Sequence, residues 1–138
     1  MWMIVAAVAV AGTLGSLTDW VFMGMLFHGA YNRYPEVWRP SVQGGRSRNA
    51  IVFASVAGYG MTAAVVALCA MAHVRSIVGG LEVAAIAWLA GPPLVIVVNG
   101  LFIKIDPKIT FAHCLGYLAR MALAGAAAGA VLGPLAPK

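Results

Sequence analysis

Residues 18–40 of the chain read TDWVFMGMLFHGAYNRYPEVWRP. The first ten of them are mostly apolar but include an acid, Asp19, and the apolar run ends at Phe27 and His28. The residues that follow are rich in tyrosine, tryptophan and arginine, a composition typical of the membrane–water interface. The stretch therefore predicts a transmembrane helix that carries an acid inside the bilayer and leads into an interfacial segment.

The rest of the chain has the composition of an integral membrane protein. Of its 138 residues, 62% are hydrophobic and only 9% are charged, and the mean hydropathy is +0.92. Soluble domains carry about 25% charged residues, and a chain of this length cannot bury so much apolar surface in its own core. The length allows one domain, residues 1–138. Nucleic-acid binding is not expected, because the basic residues flank apolar segments and do not form a basic face.

Four apolar segments are long enough to cross a bilayer, which requires about 20 helical residues. We predict spans at approximately 2–27, 49–72, 77–103 and 109–132. Residues 28–48 form the predicted interfacial connection, with a flexible turn at Gly44-Gly45. The pattern predicts an all-α integral membrane protein with four transmembrane helices in an antiparallel bundle.

The third span contains Gly91-Pro92-Pro93 at its centre. Proline lacks an amide hydrogen and disfavours helical geometry at the residue before it, so we expect the helix to be kinked or broken there. The carbonyls of Trp88 and Leu89 would then lack their helical donors. The simplest interpretation is a packing kink, and the alternative is a ligand or ion site at the break, as in some transporters.

The distribution of cations predicts the orientation in the membrane. Six of the nine Lys and Arg residues lie in segments 28–48 and 104–108, whereas Arg75 and Lys138 lie on the opposite side. Cytoplasmic loops carry the excess of cations in membrane proteins. We therefore expect both of these segments in the cytoplasm and both termini outside.

Asp19 and Arg120 are predicted to form an ion pair inside the bundle. Asp19 lies nine residues before His28, or roughly 13 Å from the cytoplasmic boundary, and Arg120 lies ten residues after Thr110, or roughly 15 Å from the same boundary. An unpaired charge at that depth is expensive. The pair has two interpretations: a lock on the register of two helices, or a proton or ligand site.

Small residues predict where helices approach closely. Gly12 and Ser16 lie on one side of the first span, and Gly125, Gly129 and Gly133 form a glycine zipper on the fourth. The zipper faces away from Arg120, so we expect one face of the fourth helix to close the bundle. The zipper face would then pack against a second subunit or another membrane protein.

A polar cluster is predicted near the cytoplasmic boundary. Its candidate members are His28, Asn99, His113 and Tyr117, with Pro92 and Pro93 at the break as a further candidate ligand site. Two histidines at one level suggest haem or metal ligation. The alternative is a pair of interfacial histidines bonded to backbone or lipid, and we predict no cofactor and no metal site. Nucleotide-binding, hydrolase and metal-ligand motifs are missing from the sequence.

The sequence also resembles a family of small four-span bacterial membrane proteins with no established activity. Three segments carry the resemblance: DWVFMGMLFHGAY, WLAGPPLVIVVNGLF and HCLGYLARMALAGAAAG. The segment FHGAYNRYPEVWR is longer than the corresponding connection in that family. The resemblance implies the four-helix topology and a bacterial inner (cytoplasmic) membrane, and it assigns no functional residues.

Three hypotheses for function follow. The first is a non-enzymatic membrane protein with a structural or interaction role, as a homo-oligomer or an accessory subunit of a larger complex. The second is a small transporter or channel that uses Asp19 and the broken third helix. The third is a protein that binds haem, lipid or quinone through the polar cluster. We expect the first, and an enzyme acting on lipid is left open.

Overall fold

The computed structural model describes residues 2–40 and 48–135, and these ranges form helices and connecting turns without any strand. The predicted Gly44-Gly45 turn and two of the counted cations, Arg46 and Lys138, lie outside the described residues. The elements are α1 (Trp2–Asp19) with a π-helical continuation (Trp20–Leu26), two 3-10 turns (His28–Asn32 and Pro35–Val37), α2 (Arg48–Met71), α3 (Ile77–Ala90), α4 (Pro92–Phe102) and α5 (Pro107–Leu135).

Four helical segments are long and apolar enough to cross a membrane: Trp2–Leu26, Arg48–Met71, Ile77–Phe102 and Pro107–Pro134. Each lies close to a span predicted from the sequence. The prediction of an all-helical chain with four membrane-length helices is therefore confirmed.

Local signals mark the starts of two helices. Ser76 caps α3, because its hydroxyl accepts a hydrogen bond from the amide of Gly79 at 3.1 Å. Asp106 caps α5 in the same way: its Oδ1 accepts from the amide of Lys108 at 2.8 Å, and Pro107 takes the first helical position. The tight turn between α2 and α3 includes His73 in the left-handed region, at φ 52°.

The third span comprises two helices, α3 and α4, with Gly91 between them. α3 ends at Ala90, Gly91 has φ −128° and ψ −93°, and α4 begins at Pro92. The prediction that the carbonyl of Trp88 lacks a donor is wrong: the amide of Gly91 donates to it at 3.2 Å. The residue before the prolines retains its own N–H and closes the last turn with an i→i+3 bond, as helix ends commonly do. The Trp88 indole in turn donates to the carbonyl of Cys114 on α5 at 3.0 Å.

α5 is the central helix, because it contacts α1, α2, α3 and α4. It has a high proportion of alanine and glycine, which lets the neighbouring backbones approach closely. The third span is the least buried of the four: only 6% of its most apolar 18-residue stretch is buried, compared with 39% for the fourth span. The largest buried cluster consists of small and medium side chains from α2, the turn after it, α3 and α5: Val65, Val66, Cys69, Val74, Ala84, Met121, Ala124 and Ala128.

The glycine face of α5 packs against the start of α3 in the same chain. A Cβ atom on Gly125 would overlap the carbonyl of Gly80, and a Cβ on Gly129 would overlap the carbonyl of Ser76. Gly133 has the same relation to the carbonyl of Arg75, at 2.6 Å from a Cβ in that position. α3 therefore covers the face that we expected to receive a second subunit, so these glycines give no support for an oligomer.

Gly12, the other predicted packing glycine, receives a side chain of α2. The ring of Tyr59 lies directly over Gly12, in the space that a Cβ there would occupy. The hydroxyls of Tyr59 and Thr13 are 2.8 Å apart, so a polar contact joins α1 and α2 beside the glycine.

Candidate functional site: a buried ion pair and an interfacial cluster

Arg120 is the most deeply buried charge in the part of the chain that the structure describes, with 1% of its surface exposed. Its Nε donates to Oδ2 of Asp19 at 3.1 Å, and its Nη2 donates to the same oxygen. Nη2 also lies 3.3 Å from the hydroxyl of Ser16, one turn earlier on α1. Arg120 therefore joins α5 to α1 near the middle of the bundle, and the two residues that we matched by depth are in direct contact.

Two glycines provide the space that the Arg120 side chain occupies. A Cβ on Gly58 of α2 would lie 2.5 Å from Nη1 and 2.6 Å from Cζ. A Cβ on Gly15 of α1 would lie 2.9 Å from Cγ of the same arginine. Even the smallest side chain at Gly58 would therefore displace the guanidinium. The sequence does not reveal this contact, because no local pattern shows which side chain faces a glycine.

One atom of each ionic partner has no hydrogen-bond partner among the described residues. These atoms are Oδ1 of Asp19 and Nη1 of Arg120, both buried. Both bonds from Arg120 go to Oδ2, so Oδ1 remains an open acceptor facing Gly116, where a Cβ would lie 3.4 Å away. The helix changes from α to π immediately after Asp19, and such changes are frequent at functional sites.

A second polar cluster lies where the first span ends, with Tyr31 at its centre. The Tyr31 hydroxyl is 3.0 Å from Nε2 of His113, and its ring centroid is 6.5 Å from that of His28. His113 in turn lies 6.0 Å from Tyr117 between ring centroids. Burial, with a smaller contribution from Tyr117, raises the pKa of Tyr31 to about 12, so this phenol stays neutral. Two predicted members, His28 and His113, therefore meet at Tyr31, and a third, Tyr117, joins them through His113.

Asn99 and the diproline do not join this cluster. The Asn99 side chain is exposed on α4 and makes no hydrogen bond to any residue in the described ranges. Pro92 and Pro93 begin α4, at the opposite end of that helix from the 104–108 turn. Across residues 2–40 and 48–135, no three His, Cys, Asp or Glu side chains are grouped closely enough to hold a metal ion.

Residues 28–40, called here the interfacial segment, are fastened to the turn between α4 and α5. Nη1 of Arg33 lies 3.1 Å from Oδ2 of Asp106, a carboxylate that is only 2% exposed. The amide of Lys108 and then Arg33 lower the pKa of Asp106. Lys104 lies 2.9 Å from Glu36, whose pKa this contact lowers, and 4.5 Å from the ring centroid of Tyr34. The indole of Trp38 closes the segment on itself by donating to the carbonyl of Tyr31 at 2.8 Å.

These features define the class of protein as a multi-pass helical membrane protein. Comparison with known proteins adds no narrower assignment, since the chain matches no protein-family model, no curated protein and no solved structure. The resemblance to small four-span bacterial membrane proteins stays a prediction.

Proposed function

We propose that this chain is a small, non-enzymatic protein of the bacterial inner membrane with a structural or interaction role. It acts as a homo-oligomer or as an accessory subunit of a larger membrane complex. In this proposal segments 28–48 and 104–108 face the cytoplasm, and both termini face outside. The cation distribution supports this orientation.

The order of the helix contacts supports an antiparallel bundle with a kinked third helix. Along the α3–α5 contact, Gly80 meets Gly125, Ser76 meets Gly129 and Arg75 meets Gly133, so residue numbers rise on one helix as they fall on the other. The non-helical geometry of Gly91 supports the kink. In this arrangement α3 and α5 run antiparallel, and together they provide the rigid part of the protein.

The observation that carries the proposed function is the use of polar groups for internal contacts. Arg120 and Asp19 join α1 to α5, Thr13 and Tyr59 join α1 to α2, and the Trp88 indole joins α3 to α5. Intramembrane charges usually mark a substrate or proton pathway, but here both bonds that Arg120 donates to Asp19 fasten helices. Such an arrangement favours a rigid helical unit over a chemical site.

The third span is the surface that we propose for lateral association. α4 contains no buried residue, and Leu94, Val95, Leu101 and Phe102 are each at least 60% exposed. The glycine face cannot serve this purpose, because α3 occupies it. Association through α4 would also use the one helix whose packing within the chain is weakest, so it would not disturb the α3–α5 contact.

Disulfide cross-linking in native membranes tests this proposal. Cys69 and Cys114 are first replaced by alanine, and Val95→Cys is then compared with the control Val52→Cys, a similarly exposed position on α2. We expect a cross-linked dimer, or a cross-link to one stoichiometric partner, for position 95 and none for position 52. A protein that extracts as a monomer in native nanodiscs and cross-links equally at both positions would refute the proposal.

Transport is a second candidate, favoured by the unpartnered atoms Asp19 Oδ1 and Arg120 Nη1 and by the π-helix that begins beside them. An open acceptor and an open donor in the middle of a bundle would suit a small polar ligand or a proton carrier. Substrate-driven proton flux in proteoliposomes that Asp19→Asn abolishes would support this candidate. Equal flux in wild-type and Asp19→Asn vesicles would exclude Asp19 from transport.

A further inference from the structure

The end of the bundle that holds the interfacial segment carries more cations than acids, and the structure shows how the acids are used. Asp106 is paired with Arg33 and accepts the amide of Lys108. Glu36 is paired with Lys104. Both acids at this end are therefore engaged in contacts that fasten the interfacial segment to the 104–108 turn.

Three cations remain at the same end without an ion pair to any residue of the described ranges: Arg39, Arg48 and Lys108. All three are exposed. Arg39 follows Trp38 in the interfacial segment, and Lys108 lies in the first turn of α5. Arg48 begins α2 and lies at this end, because Cys69 near the other end of α2 contacts Gly80 at the start of α3.

The geometry points to a binding surface for anionic phospholipid headgroups, formed by Arg39, Arg48 and Lys108. This inference concerns the lipid partner, so it stands whether or not the chain associates through α4. The complementary charge is the lipid phosphate, which lies at the depth where interfacial tyrosine and tryptophan side chains concentrate. Tyr34 lies against Lys104 and Trp38 lies against Tyr31, so the interfacial segment that carries Arg39 holds aromatic side chains suited to that level. An arginine or lysine near an anionic membrane surface contributes about 1 kcal/mol of attraction, or roughly fivefold in binding.

The lipid source is the bilayer and not free phosphate. The three cations come from three different elements at one end of four membrane-length helices, so the headgroup layer is the anionic surface that all of them can reach together. A free anion would bind one or two of them. Two measurements therefore distinguish the sources: a bilayer source predicts a preference for anionic lipid, and a free-anion source predicts competition by inorganic phosphate.

Lipid selectivity in reconstituted vesicles tests the inference. The full chain is placed in phosphatidylcholine vesicles containing spin-labelled phosphatidylglycerol or spin-labelled phosphatidylcholine, and electron spin resonance measures the lipid immobilised on the protein. We expect the wild type to favour phosphatidylglycerol by at least about fivefold, the contribution of one cation. The triple variant Arg39→Gln/Arg48→Gln/Lys108→Gln should lose this preference. If the triple variant does not reach wild-type helix content by circular dichroism, the three single variants are measured in its place, and each should lose part of the preference.

The matched control is Arg75→Gln, which removes an exposed cation from the opposite end of the bundle. It should leave the preference unchanged. In about 1 M sodium chloride, where the screening length is about 3 Å, the wild-type preference should disappear. A wild type without preference would overturn the inference, as would an Arg75→Gln variant that loses as much as the triple variant. Competition by millimolar inorganic phosphate would also overturn it, because the surface would then bind free anions.

Discussion

Removing one member of the Asp19–Arg120 pair should have unequal effects, depending on which charge is left behind. Asp19→Leu leaves a guanidinium that is 1% exposed and cannot lose its proton. Loss of one partner from a buried ion pair typically costs 3–5 kcal/mol. In a membrane the unfolded helices also find polar partners, so we expect the low end, about 3 kcal/mol.

Arg120→Met should cost less, about 1–2 kcal/mol, because the carboxyl that it leaves is 24% exposed and so is less completely desolvated than the guanidinium. Methionine is flexible enough to occupy the space between Gly15 and Gly58. The double variant Asp19→Leu/Arg120→Met should lie within about 1 kcal/mol of the wild type, since a buried pair replaced by apolar groups of similar volume is often neutral. The expected coupling energy is therefore at least about 3 kcal/mol.

The free energy of unfolding can be measured in bicelles by steric trapping, with circular dichroism to verify that each variant is helical. A small control is Ser16→Ala, which removes the 3.3 Å contact to Nη2 and the hydrogen bond that the Ser16 hydroxyl donates to the carbonyl of Gly12 within α1, and leaves both bonds between Arg120 and Asp19 in place. The reasoning would be refuted if Arg120→Met were as damaging as Asp19→Leu, or if the double variant were no more stable than Asp19→Leu alone.

Three further predictions concern other parts of the molecule. Gly58→Ala should destabilise the protein by about 1–3 kcal/mol through overpacking against the guanidinium, whereas Gly60→Ala, with open space around it, should be neutral or slightly stabilising in a chemical unfolding series. Asp106→Ala should lower the thermal midpoint more than Asp106→Asn, because asparagine still caps α5 but cannot form the ion pair. Because the pKa of Asp106 is lowered in the folded protein, its ionised carboxylate stabilises the fold above the usual aspartate pKa. This stabilisation is lost as the pH falls through the folded-state pKa of Asp106. Both substitutions should therefore flatten the acid limb of a plot of thermal midpoint against pH. In intact cells, a membrane-impermeant thiol reagent should label Arg75→Cys and spare Gly29→Cys; the reverse pattern would invert the proposed orientation.

The fold class was accessible from the sequence because hydropathy and segment length are local properties. A run of about 20 apolar residues has few alternatives to a membrane helix, and each predicted span lies close to one in the structure. The cap at Asp106 is a local feature of the same kind, since it depends on residues 106–108 alone. The donor to the Trp88 carbonyl was missed because rules for proline count the bonds that are lost and not the alternative bond from the residue before it.

The same distinction between local and non-local properties applies to the candidate site. Depth along a helix can be counted in residues, which placed Asp19 and Arg120 at one level, and the structure has them hydrogen bonded. Rotation about the helix axis relative to a neighbour cannot be counted in this way. The glycine face of α5 was therefore assigned to another subunit, whereas α3 of the same chain covers it, and Tyr31 was not recognised as the partner of His113.

Membrane-length helices follow from the amino-acid sequence without knowledge of the packing, because each segment satisfies its own backbone hydrogen bonds and transfers its own apolar side chains into lipid. Three features follow from the packing of helices against one another: α5 is the centre, Gly58 makes room for Arg120, and α4 lies at the periphery. In lipid there is little hydrophobic drive between helices, so their arrangement depends on close fit between surfaces. That fit is a property of pairs of helices and is not encoded in any one of them.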